Sequence, residues 1–207
     1  MTWNKRTWLW SAVGASALVL LAGAALALAY GIYHEQWDSA LVRRIPLVAR
    51  LPVARVDGQT VTYRDYLLQL DAARTFLSGP SAKAQGLSPE ITAEVKSLSY
   101  ERAIRIAAMD AFAAREQLVV TPLDVDRAYD GLVSYAGSST TSDEIQAFLR
   151  DQFGWDIPSF KQHIVRPALI EDTLKKRKLA ASSDVEAFDR ELETFLQGGS
   201  VVRYMRF

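Results

Sequence analysis

The sequence predicts a mainly α-helical protein: an N-terminal transmembrane helix, then a helical bundle with a small β-hairpin that a C-terminal strand completes. Three observations lead to this fold class. The N-terminus holds a long uncharged apolar run, several Ser/Thr-x-x-Asp/Glu pairs precede segments of helical apolar spacing, and an Asp-Gly pair separates two short β-prone runs. They divide the chain into a tail and anchor (1–34), a spacer (35–51) and a folded module (52–207).

The composition excludes several classes of function. The 207 residues contain 24 Lys and Arg against 24 Asp and Glu, and this balance argues against nucleic acid as a partner, because such proteins present a basic surface. The chain has no cysteine, so it has no disulfide, thiolate metal site or cysteine nucleophile. Its two histidines, His34 and His163, occur in no catalytic or metal-binding motif. We therefore predict no catalytic residue, no cofactor and no metal site.

The apolar run from Trp8 to Tyr33 is long enough to cross a membrane. No charged residue occurs between Arg6 and Glu35, and at about 1.5 Å per residue the run exceeds the roughly 30 Å of a hydrocarbon core. Aromatic residues bracket it, as in interfacial belts: Trp8, Trp10, Tyr30, Tyr33 and Trp37. The sequence thus predicts a single-pass anchor in the cytoplasmic membrane that contacts the lipid bilayer through this run.

Two alternatives to this arrangement stay open. Ala27-Leu28-Ala29 would suit a cleaved signal peptide, although the apolar run is longer than the usual h-region of roughly 7 to 15 residues. Arginines lie on both sides of the run, so the positive-inside rule decides orientation weakly. The short basic tail favours a cytoplasmic N-terminus with the C-terminal domain on the extracytoplasmic side, and the alternative is a cytoplasmic body.

Beyond the anchor, the elements follow from local signals. Pro46 and Pro52 flank residues 47–51 and predict a stiff spacer that lifts the module off the bilayer. The Asp57-Gly58 pair predicts a type I′ hairpin. The residues 201–207 alternate imperfectly and predict a strand that pairs with residues 53–56 to form a three-stranded sheet.

Capping pairs and apolar spacing predict six helices in the module. The pairs are Thr62 with Asp65, Thr121 with Asp124, Thr141 with Glu144, and Ser183 with Glu186; Ser88-Pro89-Glu90 and Asp156-Ile157-Pro158 are further starts. The predicted helices are Tyr63 to Ser78, Pro89 to Gln117, Pro122 to Ala136, Ser142 to Phe153, Pro158 to Leu179 and Asp184 to Gln197. We expect Pro167 to distort the fifth, because proline lacks the backbone donor.

Some residues suggest chemistry or binding but also have structural explanations. His163 with Lys161 and Asp156 could form an acid–base cluster, and the alternative is a surface or capping histidine. Four aromatic residues are candidates for binding unfolded apolar segments, with core packing as the alternative: Tyr129, Tyr135, Phe153 and Trp155. The basic run Lys175 to Lys178 could contact anionic lipid or a partner, or complement the helix dipole.

Three segments, in this order, resemble the SurA, PpiD and PrsA group of extracytoplasmic chaperones. ARVDGQTVTYRDYLLQL is similar to the group's opening hairpin and first helix, through Val56-Asp57-Gly58 and Val61-Thr62. AAREQLVVTPLDVDRAY is similar to an inter-helix turn, and FGWDIPSFKQHIVRPALIEDTLKKR to the element that follows. The matched positions of the turn are Ala114, Leu118, Val120, Thr121, Asp124 and Val125. The resemblance covers roughly Leu51 to Leu179 and implies a SurA N-terminal-like helical module.

The resemblance also implies a function. Members with peptidyl-prolyl isomerase activity carry a parvulin domain of roughly ninety residues, and Lys178 to Phe207 is too short for one and lacks histidine. The resemblance therefore implies a membrane-anchored chaperone that holds unfolded or nascent exported polypeptides without ATP. The alternatives are an isomerase-family member with a degenerate or absent catalytic domain, and a membrane adaptor that binds one folded partner.

Overall fold

The computed structural model describes residues 22–136 and 141–207. Residues 22–33 are helical (α1). The elements that follow are α2 (Ala40–Arg43), α3 (Pro46–Ala49), β1 (Pro52–Val56), β2 (Gln59–Thr62), α4 (Tyr63–Ser78), α5 (Pro80–Ala84), α6 (Ala93–Arg115), α7 (Pro122–Ala136), α8 (Ser142–Phe153), α9 (Ile157–Phe160), a π-helical turn (Lys161–Val165), α10 (Arg166–Ser182), α11 (Ala187–Gln197) and β3 (Val201–Arg203). The described chain is therefore mainly helical with three strands.

The predicted membrane span lies largely outside the described residues. Its positions 8–21 are not described, and only positions 22–33 belong to α1. Within residues 22–136 and 141–207, no helix combines the length and apolar character that a membrane crossing needs.

The three strands form an antiparallel sheet in the order β2-β1-β3. Asp57 and Gly58 have φ angles of 47° and 86°, so both turn residues have the positive φ that a type I′ hairpin requires. The C-terminal strand pairs Val201 with Val56 and Arg203 with Ala54. The predicted hairpin is confirmed, and the predicted third strand forms over Val201–Arg203 only, not over all of residues 201–207. The sheet joins the two ends of residues 52–207.

The main core lies between this sheet, α4, α6, α10 and α11. Tyr63, Tyr66 and Tyr100 are among its largest fully buried side chains. The ring of Phe112 on α6 meets the rings of Phe188 and Phe195 on α11 edge to face. These aromatic contacts attach the last helix to the long central one.

Residues 35–51, which the sequence predicts to be a spacer, pack against this core. Val42 in α2 and Val48 in α3 are buried in it, and Arg43 donates to both carboxylate oxygens of Asp71 in α4 at 2.6 and 2.7 Å. The structure differs from the prediction because Pro46 stands at the first turn of α3. Proline is tolerated there, where its N–H has no helical partner, so it begins a helix rather than stiffening an extended chain.

Most predicted helices are confirmed, and three of the four capping pairs form. Thr62, Thr121 and Thr141 each accept the backbone N–H three residues on, and the acidic side chain there accepts the N–H of the threonine. The fourth prediction is wrong: Ser183 ends α10 in the left-handed conformation, and the last helix begins at Ala187. The competing partner is Asp184, whose carboxylate accepts the Glu186 N–H at 2.9 Å.

The start predicted at Ser88-Pro89-Glu90 is also wrong. The central helix begins at Ala93, and the side chain of Thr92 accepts the N–H of Val95. The short helix α5 lies between the first and second predicted helices, where the sequence predicts none. A Ser-Pro pair and a Thr three residues later are both acceptable helix starts, and local signals do not rank them.

The predicted distortion at Pro167 takes the form of a π turn. The Arg166 N–H donates to the carbonyl of Lys161, five residues earlier, and Pro167 follows directly. The stretch from Ile157 to Ser182 is thus continuously helical through α9, the π turn and α10, where the sequence predicts a single helix.

Candidate functional site

An apolar cleft lies between α4, α6 and the continuous stretch from α9 to α10. Its volume is about 1030 Å³. Helix α4 lines it with Ala72, Ala73 and Phe76, and α6 lines it with Leu98 and Ile106, among others. Ala72 and Ala73 precede Phe76 by four and three residues, and Leu98 precedes Ile106 by eight, so each set occupies one face of its helix. Both helices therefore have two apolar faces, one in the core and one in the cleft.

Aromatic side chains form one end of the cleft. The ring of Phe153 stacks on Phe76 with centroids 6.4 Å apart and lies 5.9 Å from the ring of Trp155. Phe160 on α9 also lines the cleft. Trp155 lines the same part of the cleft and is only 6% exposed. Its indole Nε1 has no hydrogen-bond acceptor among the described residues.

A left-handed glycine brings these aromatic residues to the cleft. Gly154 ends α8 with φ 70°, and a Cβ built on it would lie 3.2 Å from Oγ1 of Thr75 on α4. The chain turns here because glycine adopts positive φ without a steric penalty. Phe153 and Trp155, on either side of this glycine, therefore both line the cleft.

The structure brings together two of the four residues predicted to bind unfolded segments. Phe153 and Trp155 line the cleft. Tyr129 lies elsewhere, buried in a smaller cluster with Val125 and Val165, with Nζ of Lys161 at 4.4 Å from its ring centroid. Tyr135 on α7 is 95% exposed and does not line the cleft.

Sequence reasoning missed most of the cleft lining, including Phe76, Leu98 and Phe160. The signal that could have found it is the presence of two apolar rows on α4 and α6, one more than packing in a single core needs. Leu98 carries this signal most clearly, because it is a large apolar side chain exposed on a helix whose next residues, Ser99 and Tyr100, are buried.

The charged residues that line the cleft are Glu101, Arg102, Arg105 and Glu171, two of each sign. Arg105 donates to the carboxylate of Glu171 at 3.1 Å, and Arg203 donates to Glu101 at 2.9 Å. His163 also lines the cleft, and burial lowers the pKa of its imidazole while the charge of Asp65 opposes that shift. At neutral pH the imidazole is therefore predominantly uncharged. The cleft offers an apolar surface with little net charge.

The predicted acid–base alternative around His163 does not assemble. Lys161 donates to Asp126 at 2.8 Å, and the carboxylate of Asp156 accepts the N–H of Ser159 at 2.8 Å. The neighbour of His163 is instead the Trp155 ring, at 6.1 Å between centroids. Across residues 22–136 and 141–207, no group of three His, Asp or Glu side chains is placed to hold a metal ion.

The basic run at Lys175 to Lys178 is occupied by acidic partners. Lys175 contacts Glu171 and Asp189, Lys176 contacts Asp172, and Lys178 contacts Glu116 and Glu191. The hydrogen bonds that Lys175 and Lys178 donate to these carboxylates raise the pKa values of both ammonium groups. These cations thus join α10 to α6 and α11.

The described residues thus form a mainly helical protein with a small three-stranded sheet and an apolar cleft. Comparison of the chain with family models, with curated proteins and with solved structures finds no match.

Proposed function

We propose that this protein is a membrane-anchored, extracytoplasmic chaperone that holds unfolded or nascent exported polypeptides without ATP. The observation that carries the proposal is the apolar, aromatic-ended cleft between α4, α6 and α10. Its volume of about 1030 Å³ is at the upper end of the roughly 300–1,000 Å³ typical of ligand pockets. It therefore has room for several apolar side chains of an extended segment.

The chemistry of the cleft supports weak and unselective binding. Burial of any apolar segment against its apolar wall is favourable, and the free energy gained is proportional to the apolar area removed from water. The lining has two acidic and two basic side chains, so little net charge is left to select for one sequence. The rings of Phe76, Phe153 and Phe160 offer contacts that tolerate different side chains. Such a surface suits transient holding of many chains.

The remaining parts of the proposal come from the sequence. The likeness to the SurA, PpiD and PrsA group over Leu51 to Leu179 supports a chaperone of the exported-protein pathway. The apolar run from Trp8 to Tyr33 supports an anchor in the cytoplasmic membrane with the folded body on the extracytoplasmic side. Anchoring would keep the cleft near the site where unfolded chains emerge.

The test follows the aggregation of a denatured exported protein by light scattering. The full chain is inserted in lipid nanodiscs, with empty nanodiscs as the blank. We expect suppression at near-stoichiometric ratios, lost in Leu98→Glu, because a carboxylate on the cleft wall penalises apolar burial. Leu132→Glu is the matched control, since Leu132 is exposed on α7 and does not line the cleft.

Two results would contradict the proposal. The first is unchanged scattering with several clients. The second is equal suppression by the Leu98 and Leu132 variants, which would place client binding outside the cleft. Saturable binding of one folded membrane protein, together with indifference to unfolded chains, would favour the adaptor alternative instead.

A further inference from the structure

The segment between the anchor and the sheet contains a six-residue repeat. Residues 41–46 read LVRRIP and residues 47–52 read LVARLP. Each copy contributes to one short helix, α2 or α3, and equivalent positions of the two copies have similar exposure. The valine of each is buried, the arginine at its fourth position is exposed, and its leucine is 76% exposed at Leu41 and 73% exposed at Leu47.

Large apolar side chains therefore face solvent beside basic ones on this short segment. The exposed apolar members are Trp37, Leu41 and Leu47, and the exposed basic members are Arg44 and Arg50. We call these five residues the juxtamembrane surface. The burial of Val42 and Val48 holds it in place, because these two side chains anchor α2 and α3 in the main core.

The helix α1 is attached rigidly to the same part of the body. Ile32 is fully buried in the main core. The Tyr33 hydroxyl donates to the carbonyl of Pro52 at 3.0 Å, and the Trp37 N–H donates to the carbonyl of Gly31 at 2.9 Å. Residues 22–27 are exposed, whereas Leu28 packs partly against the core. The helix thus leaves the body near Leu28.

The length of the predicted span sets the height of the body above the bilayer. About 20 helical residues cross a hydrocarbon core, so a span that begins at Trp8 reaches the far edge of that core near residue 27. This is where α1 leaves the body. No flexible chain separates the two, so the part of the body around Gly31 and Trp37 lies at the level of the lipid headgroups.

The juxtamembrane surface lies within reach of that level. Trp37 contacts α1 directly, since a Cβ on Gly31 would overlap its ring. Leu41 follows four residues later and can lie no more than about 14 Å away along the chain. A surface helix binds at the boundary of headgroups and acyl chains when it combines tryptophan and leucine with arginine. The apolar side chains enter the boundary region, and the arginines contact anionic headgroups.

We propose that α2 and α3 rest on the bilayer, with Trp37, Leu41 and Leu47 in the headgroup region and Arg44 and Arg50 on anionic headgroups. This inference rests on the membrane-anchor part of the proposed function and is independent of chaperone activity. It reverses the predicted role of residues 35–51: the segment holds the body down on the membrane and does not lift it off.

The absence of cysteine from the chain allows a direct test with single spin labels. Leu47→Cys carries the label on the juxtamembrane surface. Val185→Cys is the matched control, because Val185 is 74% exposed on another part of the body. Leu18→Cys, in the middle of the predicted span, reports insertion. The full chain is placed in nanodiscs of phosphatidylcholine with phosphatidylglycerol, and the accessibility of each label to oxygen and to a water-soluble nickel chelate is measured.

We expect the ratio of oxygen to nickel accessibility at position 47 to be several-fold higher than at position 185, because oxygen concentrates in lipid. We also expect this ratio to fall in pure phosphatidylcholine and to become independent of phosphatidylglycerol in the Arg44→Gln, Arg50→Gln double variant. Both arginines are exposed, so the fold is expected to survive, and circular dichroism checks it.

The outcomes separate this inference from the anchor. A label at position 18 in lipid with position 47 as aqueous as position 185 would overturn the inference and leave the anchor intact. Aqueous labels at both positions 18 and 47 would overturn both. Position 47 in lipid with position 18 in water would support the surface and overturn the anchor. A double variant with unchanged lipid dependence would overturn the role of the arginines.

Discussion

Two tyrosines of the core differ in what their hydroxyl groups contact. The Tyr100 hydroxyl donates to the carbonyl of Val53 at 2.7 Å, whereas the Tyr66 hydroxyl is buried with no partner among the described residues. Their rings lie 6.2 Å apart in one aromatic cluster. Burial raises the pKa of both hydroxyls, for Tyr100 to about 12. The pair isolates the value of one hydrogen bond in a shared environment.

We expect Tyr100→Phe to lower the free energy of unfolding by about 0.5–1.5 kcal/mol, the usual net value of such a bond. Tyr66→Phe should leave it unchanged or raise it, because the substitution removes a buried donor that has no acceptor. Equilibrium urea unfolding of the full chain measures both changes. A larger loss in the Tyr66 variant than in the Tyr100 variant would contradict this assignment.

At the scale of elements, the junction after α8 decides whether the aromatic end of the cleft forms. Gly154 combines a positive φ with a close approach to the Thr75 side chain of α4, and both features disfavour a side chain at this position. Helix α8 otherwise has strong local signals, with a capping box at Thr141 and Glu144. The helix therefore forms from local sequence, while its placement against α4 depends on one glycine.

We expect Gly154→Ala to lower the free energy of unfolding by about 1–2 kcal/mol, the cost of a left-handed residue with a Cβ. Gly131→Ala is the control, because Gly131 lies within α7 with open space around it. Alanine there should stabilise the protein by about 0.5–1 kcal/mol. The same urea series measures both. Equal effects at the two positions would contradict the role assigned to Gly154.

At the scale of the whole molecule, the two ends of the described chain close on each other. The Arg206 N–H donates to the carbonyl of Tyr33 at 3.3 Å, and the Tyr204 N–H donates to the carbonyl of Val53 at 3.0 Å. Met205 is buried in the main core together with Ile32. The end of α1 is therefore a structural part of the folded body.

We expect Ile32→Ala to lower the free energy of unfolding by about 2–5 kcal/mol, as for other large-to-small changes in a core. Leu26→Ala should change it by less than about 0.5 kcal/mol, because Leu26 is exposed on the same helix. Thermal and urea unfolding in one detergent compare the two. A negligible effect at Ile32 would mean that α1 is only tethered to the body.

Much of the fold could be predicted from the sequence because it depends on local chemistry. The hairpin follows from Asp57 and Gly58, whose conformations suit one turn type. The start of α4 follows from Thr62 and Asp65, which satisfy each other's backbone donors. The C-terminal strand could be paired with residues 53–56 because a two-stranded hairpin is marginal by itself.

The candidate site was less predictable. Phe153 and Trp155 could be singled out as aromatic residues able to contact apolar segments, and both line the cleft. Tyr129 is equally aromatic but packs under Lys161 in a separate cluster. Aromatic character identifies residues that seek burial or a ligand, and the neighbours that decide between the two come from distant parts of the chain.

The sequence by itself determined where α4, α7 and α8 begin and end, the turn of the hairpin and the apolar N-terminal run, because each depends on residues within a few positions. Only the tertiary structure decided which of the two apolar faces on α4 and α6 meets the core and which lines the cleft. It also decided that residues 35–51 pack on the body, since Val42 and Val48 find their partners across the fold. Apolar spacing shows that a helix face will be buried, and long-range packing determines which part of the protein that face packs against.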